Sequence, residues 1–259
     1  MIKKRIRKWV RNILATAVLI FGLLLAIVLN PNLAYANKTT YADFTVYHNK
    51  PLDAAFYDKL DHASSLIHNS EFFNSKLRLD ICLNDGSFYP SLIKRLRGEA
   101  FGWGFYNKVV LRGKADYYNN TVELRGYRWN LVQLLAHEMT HCLQFKKLGF
   151  WHSKPFARIA AWKWEGYAEY VARKGEGLED LYANIQRLEN VGGDSWEIVL
   201  PDQTIAPRAY YEQWLLVQFC LNIRKMSYQQ LLDDKKSEDE IKQAMRNWFN
   251  AQAAGPRVK

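Results

Sequence analysis

Cysteine is scarce in this sequence: Cys82, Cys142 and Cys220 are the only three, at spacings that match no zinc or redox motif. This excludes a disulfide-built scaffold and a thiolate metal site. Each lies in an apolar run (LDICL, HCLQF, QFCLN), so buried free thiols are expected. Cys142 adjoins His141, but on a helix its side chain points roughly 100° away, and it is not counted as a ligand. Acidic residues are absent from the first 36 positions. Six of the 36 bases sit there, so the formal charge of +10 falls to +4 over the remainder, with 30 bases against 26 acids. Without a basic stripe or a recognition motif, nucleic acid is set aside as a partner. Internal repeats, low-complexity tracts and phosphate or sugar motifs are also missing. Gly102-Trp103-Gly104 is a lone Gly-x-Gly with no helix signal behind it.

The chain opens on Lys3, Lys4, Arg5, Arg7, Lys8 and Arg11, followed by 17 uncharged residues, Ile13 to Leu29. That run is at the lower edge for a spanning helix and long for a signal-peptide core. Ala34-Tyr35-Ala36 offers a small-x-small cleavage site before Asn37. Residues 1–36 are expected to be a signal peptide or a membrane anchor, the cleavage pattern favouring the former. In both cases the basic flank stays cytoplasmic and the rest is exported, secreted or anchored through residues 13–29. Residues 37–50 read as a linker and 51–259 as one domain. With 49% apolar and 24% charged residues, the composition is that of a globular protein.

The stretch LVQLLAHEMTHCLQF holds His137, Glu138 and His141 in the pattern His-Glu-x-x-His. Residues four apart on a helix lie one turn above each other, so the two imidazoles can face one point. Imidazole nitrogens suit zinc, and Glu138 sits where it can take a proton from a metal-bound water. A second stretch, WKWEGYAEYVARK, puts Glu165 and Glu169 on one helical face, Glu165 standing 24 positions after His141. Trp162, Trp164, Tyr167, Ala168, Tyr170 and Val171 make that helix too apolar to be freely solvated. Carboxylates there are costly to bury unless paired or metal-bound. One zinc ion, with three protein ligands and an open position, is the cofactor this pattern predicts.

His-Glu-x-x-His followed by Trp-x-x-Glu-Gly-x-Ala-Glu-Tyr resembles the gluzincin metallopeptidases, notably the bacterial peptidase MA-like proteins, over residues 105–172. The resemblance implies that Glu165 is the third zinc ligand and that Glu169 hydrogen-bonds a zinc-binding histidine. It implies a peptide or protein substrate, hydrolysed with Glu138 as general base. It also implies a tyrosine on the later apolar helix that assists the oxyanion, for which Tyr210 and Tyr211 are the candidates. The Gly-Ala-Met-Glu-Asn amine-binding motif of the membrane alanyl aminopeptidases is absent. The metzincin extension is absent too: Gln144 stands where its Gly belongs and Lys147 where its third His belongs. A competing expectation is a catalytically silent zinc-bound scaffold or binding module of the cell envelope. Glu138 speaks against it, because zinc binding alone does not require that residue.

Periodicity predicts helices over Pro51–Phe73, Phe88–Leu96, Trp129–Gly149, Pro155–Lys174 and Arg208–Ile223, with a turn and a capped helix in Ser227–Phe249. Strands are expected at Lys76–Leu83, Lys108–Arg112 and Thr121–Arg125. The expected fold class is α+β, a zincin-like domain. In it a small mixed sheet packs on the His-Glu-x-x-His helix, a mostly helical C-terminal part follows, and the apolar segment precedes both. Either KVVLR or TVELR is the expected edge strand beside the cleft, KVVLR being preferred, and a peptide could pair with it.

Overall fold

Burial alternates along Phe44-Thr45-Val46-Tyr47-His48, with Phe44, Val46 and His48 on the inner face. In the computed structural model this segment is strand β2 (Phe44–His48), paired antiparallel with β1 (Asn37–Tyr41). Residues 37–50 are therefore a hairpin that opens the main sheet and not a linker; Val46 is fully buried. The structure describes residues 2–175, 177–193 and 195–254, and Met1, Glu176, Asp194 and 255–259 lie outside them.

The described chain is mixed α+β, with small sheets behind the apolar helix α1 (Ile2–Leu29). Helix α2 (Ala54–Ile67) starts at Asp53, whose carboxylate accepts the Ala55 N–H at 2.9 Å. Strand β3 (Leu79–Cys82), helix α3 (Tyr89–Arg97) and the hairpin β4 (Gly102–Phe105) and β5 (Lys108–Leu111) follow. The five-stranded sheet runs β1-β2-β3-β5-β4, with β2, β3 and β5 parallel and an antiparallel strand on each side. KVVLR is thus an inner strand, and its first residue, Lys108, is buried against Asp80 at 3.1 Å. TVELR is β7 (Thr121–Leu124), central in a separate meander between β6 (Lys114–Asp116) and β8 (Tyr127–Asn130). The edge belongs to β4, the glycine-rich GWGF.

Helix α4 (Leu131–Leu148) runs along the core, buried from Leu131 to Phe145 on every side. It begins two residues later than its pattern suggests, because Asn130 caps it by accepting the Gln133 N–H at 3.1 Å. Helix α5 (Ala161–Ala172) is shorter than expected. Residues 149–157 instead satisfy their backbone locally, with Ser153 accepting from the N–H groups of Phe156 and Ala157. Helix α6 (Leu181–Asn190) and a two-stranded ribbon, β9 (Glu197–Val199) with β10 (Ile205–Pro207), lead to α7 (Arg208–Gln218). Helix α7 ends in a π-helical turn, Phe219–Ile223, and α8 (Tyr228–Asp233) and α9 (Glu238–Ala254) close the described chain. Gly166 lets α5 and α7 touch, since a Cβ there would stand 2.3 Å from the Gln213 carbonyl oxygen.

Candidate metal centre

Two helices bring the predicted ligands together. His137 and His141 project from α4 one turn apart, and α5 presents Glu165 opposite them. The two Nε2 atoms stand 3.1 Å apart, and Glu165 Oε2 lies 3.1 Å from His141 Nε2 and 3.5 Å from His137 Nε2. Glu138 is also buried there: His137, Glu138 and His141 offer donor atoms that all lie within 4.8 Å of one another, a group that could hold a metal ion. Glu165, outside that trio, is the carboxylate in direct contact with both imidazoles.

The outer face of each ring determines what the inner face offers. His141 Nδ1 is 2.7 Å from Gln144 Oε1. The Gln144 amide is oriented by its Nε2, which donates to the Trp164 carbonyl at 3.1 Å and to the Tyr228 hydroxyl at 2.7 Å. Its oxygen therefore faces His141 and can only accept, so the proton sits on Nδ1. His137 Nδ1 is 3.0 Å from Glu169 Oε1. The N–H does not point along this contact and neither atom has another hydrogen-bond partner among the described residues, so it is the charge of the carboxylate, and not a hydrogen bond, that favours the proton on Nδ1. Both Nε2 atoms then turn lone pairs toward the Glu165 carboxylate. Three such acceptors need a cation between them, a metal ion or, in the metal-free site, a proton, which the contact with Glu165 favours on His137. Tetrahedral zinc with bonds of about 2.0–2.1 Å keeps its donors roughly 3.3–3.4 Å apart, close to the separations here.

Charge follows the same logic. Burial pulls the His137 pKa down, but contacts with Glu165 and Glu169 outweigh it and raise it to about 10. Burial pushes the Glu165 carboxyl up, and His141 and His137 together bring it well below the usual carboxylate range. The Glu138 pKa is raised, by burial first and by Glu165 next, against the pull of the two histidines. For Glu169, burial is overcome by Arg173 and then His137, and its pKa falls to about 2.

Arg173 anchors this arrangement from beneath. Its Nε donates to Glu169 Oε2 at 2.7 Å, and its Nη1 donates to Gln133 Oε1 on α4 at 2.8 Å. Arg173 and Glu169 are both almost fully buried. Arg173→Met leaves a buried carboxylate unpaired, and a loss of about 3–5 kcal/mol in unfolding free energy is expected by denaturant titration. The depressed Glu169 pKa adds a pH signature. Its stabilising contribution is complete above the unfolded value of about 4.3 and is lost as pH falls through about 2. The wild type should lose stability over that acid range, and Glu169→Gln should flatten the loss.

The candidate ligands line an open cleft of roughly 510 Å³, walled by β4 with Arg97 and Glu99 and by Phe145, Trp164 and the 154–157 loop. Strand β4 packs directly on α4: a Cβ at Gly104 would stand 2.1 Å from the Glu138 carbonyl oxygen, and one at Gly102 3.3 Å from Glu138 Oε1. Gly104→Ala must therefore push the edge strand off the helix. The expected cost is about 1–3 kcal/mol of stability, with a downward shift of the thermal midpoint. Tyr210 borders the cleft, its ring centroid 5.9 Å from that of His137, and burial followed by Glu165, Glu138 and Glu169 raises its pKa. Tyr211 is not at the site. It lies one residue further round the helix, fully buried, with its hydroxyl donating to the Asn184 carbonyl at 3.1 Å and accepting from Arg187 at 3.1 Å. Gln144, Arg173, Gly102 and Gly104 are site residues that the motifs did not announce. The i, i+3 spacing of His141 and Gln144 and the i, i+4 spacing of Glu169 and Arg173 are the signals that point to the first two.

No family model, curated protein or solved structure matches this chain.

Proposed function

We propose that this chain is an exported zinc-dependent peptidase of the gluzincin type, with His137, His141 and Glu165 as its zinc ligands. The convergence of three lone-pair donors beside a buried Glu138, in an open cleft, supports this reading most strongly. The N₂O donor set favours zinc over harder ions such as magnesium and calcium. When bound, zinc supplies Lewis acidity, which lowers the pKa of a water toward about 7 and polarises a substrate carbonyl.

The remaining work falls to the chain's own side chains. Glu138 accepts a proton at its carboxylate from the attacking water and passes it to the leaving amine. Gln144 accepts the Nδ1–H of His141, and the Glu169 carboxylate lies against Nδ1 of His137, so both rings keep Nε2 turned toward the metal position. Tyr210 stays protonated at neutral pH and donates to the developing oxyanion. Strand β4 ends the sheet order beside the cleft, and an extended peptide could add to it by backbone hydrogen bonding, which is indifferent to sequence. The basic flank before the apolar run supports placing the domain outside the cytoplasm. A silent zinc-bound scaffold would need the three donors but not Glu138. The deciding experiment is elemental analysis of gently purified protein together with cleavage of a broad peptide library. One zinc per chain and library cleavage are expected; a metal-free or inert protein would sink the proposal.

A further inference from the structure

Helix α1 leaves its apolar side chains in the open. Ile13, Val18, Leu19, Ile20, Phe21 and Leu23 are each more than half exposed. The span Arg5–Leu29, with a mean hydropathy of 2.7 in its most apolar stretch, is long and apolar enough to cross a membrane. Its 25 residues reach roughly 37 Å at 1.5 Å per residue, against a hydrocarbon core of about 30 Å. The exposed surface therefore has the length, the apolar character and the basic cytoplasmic flank that a lipid bilayer fits.

The other end of the helix behaves differently. Ile27 and Val28, in its last turn, pack against a second core cluster on the face of the sheet away from α4, made of Tyr35, Cys82, Tyr89, Ile93, Trp103 and Val110. The Tyr89 hydroxyl donates to the Val28 carbonyl at 2.6 Å. The Ser87 hydroxyl donates to the Ala34 carbonyl at 2.7 Å, and the Ala36 N–H donates to Asn49 Oδ1 at 2.8 Å. Tyr35, the middle residue of the small-x-small motif, is buried, and its hydroxyl donates to the Leu83 carbonyl at 2.8 Å. Cleavage after Ala36 would take Tyr35 out of that cluster. It would strip Leu83, Ser87 and Tyr89 of these partners and uncover Trp103 and Val110. A removable leader has no reason to supply core residues. Leu33 and Phe88 remain exposed beside the helix end, apolar side chains at the level where the domain would meet lipid.

We propose that α1 is a retained single-span bilayer anchor whose outer end, residues 27–36, is built into the folded domain and fixes that domain against the membrane surface. The domain is then not tethered by a free linker. Trp103 carries the coupling into β4, the edge strand of the cleft. On the peptidase reading, and resting on it, the substrate is a segment presented at the membrane surface; the anchoring itself does not depend on that reading.

The test uses the full chain, expressed in a cell with a general secretion pathway and recovered from membranes. Intact mass spectrometry should show residues 1–36 retained, in a fraction that resists alkaline carbonate extraction. A mature N-terminus at Asn37, or release by carbonate, overturns the proposal. A second arm treats the detergent-solubilised protein with a broad-specificity protease. The wild type should resist cutting between residues 30 and 36, whereas Tyr89→Phe, which removes one hydroxyl and leaves the packing, should be cut there at least several-fold faster. A wild type cut there as fast as Tyr89→Phe also overturns it. Both readouts are independent of zinc content and catalysis.

Discussion

Glu138→Gln is expected to leave the metal bound and the fold unchanged while peptide hydrolysis falls at least ~10²-fold. The amide is nearly isosteric with the carboxylate, and His137, His141 and Glu165 are untouched by the change. The cradle should also survive. Gly102 makes room for the side chain through its missing Cβ, Gly104 makes room for the helix backbone at the same residue, and Gln fills the same space as Glu. What the amide lacks is the capacity to take a proton from water and return it to an amine. Burial is the first cause of the raised Glu138 pKa, so a neutral amide there avoids the cost of a buried charge, and the variant should be no less stable than the wild type. The measurements are zinc content, unfolding midpoint and kcat/KM on a cleaved library peptide. Equal activity in the two proteins would remove Glu138 from the mechanism and favour the scaffold reading. A variant that loses its zinc would mean that Glu138 and not Glu165 completes the metal set.

The parts of the site carried by helices were legible because a helix fixes its own periodicity. His137, His141, Glu165 and Glu169 could be placed on faces from spacing alone, and the structure brings all four to one centre. Tyr210 and Tyr211 could not be told apart in this way. Adjacent residues differ by roughly 100° in direction, and only the packing of α7 against α5 and α6 selects one for the cleft. The sheet edge was misread for a different reason. Strand order depends on pairings between distant segments, and GWGF carries glycines that normally weaken a strand. Here glycine is required, because the backbone of α4 occupies the Cβ position of residue 104. The hairpin of residues 37–50 carries an alternation only over Phe44-Thr45-Val46, too short to mark a strand, and its place after an apolar helix is that of a tether. Gln144 was noticed only as a departure from another motif, since its role depends on Trp164 and Tyr228, which lie 20 and 84 residues away.

Glu165→Ala and Glu169→Ala are expected to separate the ligand from its support. Glu165 Oε2 is the only carboxylate oxygen in contact with both imidazole Nε2 atoms among the described residues, so removing it leaves two nitrogen donors facing a gap. Stoichiometric zinc should be lost from Glu165→Ala, and hydrolysis with it. Glu169 touches the far nitrogen of one ring, and its loss frees His137 to rotate without deleting a donor. Partners of this kind are typically worth 10–100-fold in metal affinity, and Glu169→Ala should fall in that range by chelator competition while still taking up one zinc at saturation. Stability should separate the two in the opposite sense. Deleting Glu169 strands the buried Arg173 guanidinium and should cost about 3–5 kcal/mol, whereas Glu165 borders the open cleft and, among the described residues, is paired with no arginine. The informative pattern is thus crossed, with Glu165→Ala folded and metal-free and Glu169→Ala weakened in fold yet still able to bind zinc. If Glu165→Ala keeps its zinc and Glu169→Ala loses it, the two carboxylates exchange roles and the centre must be rebuilt around Glu169.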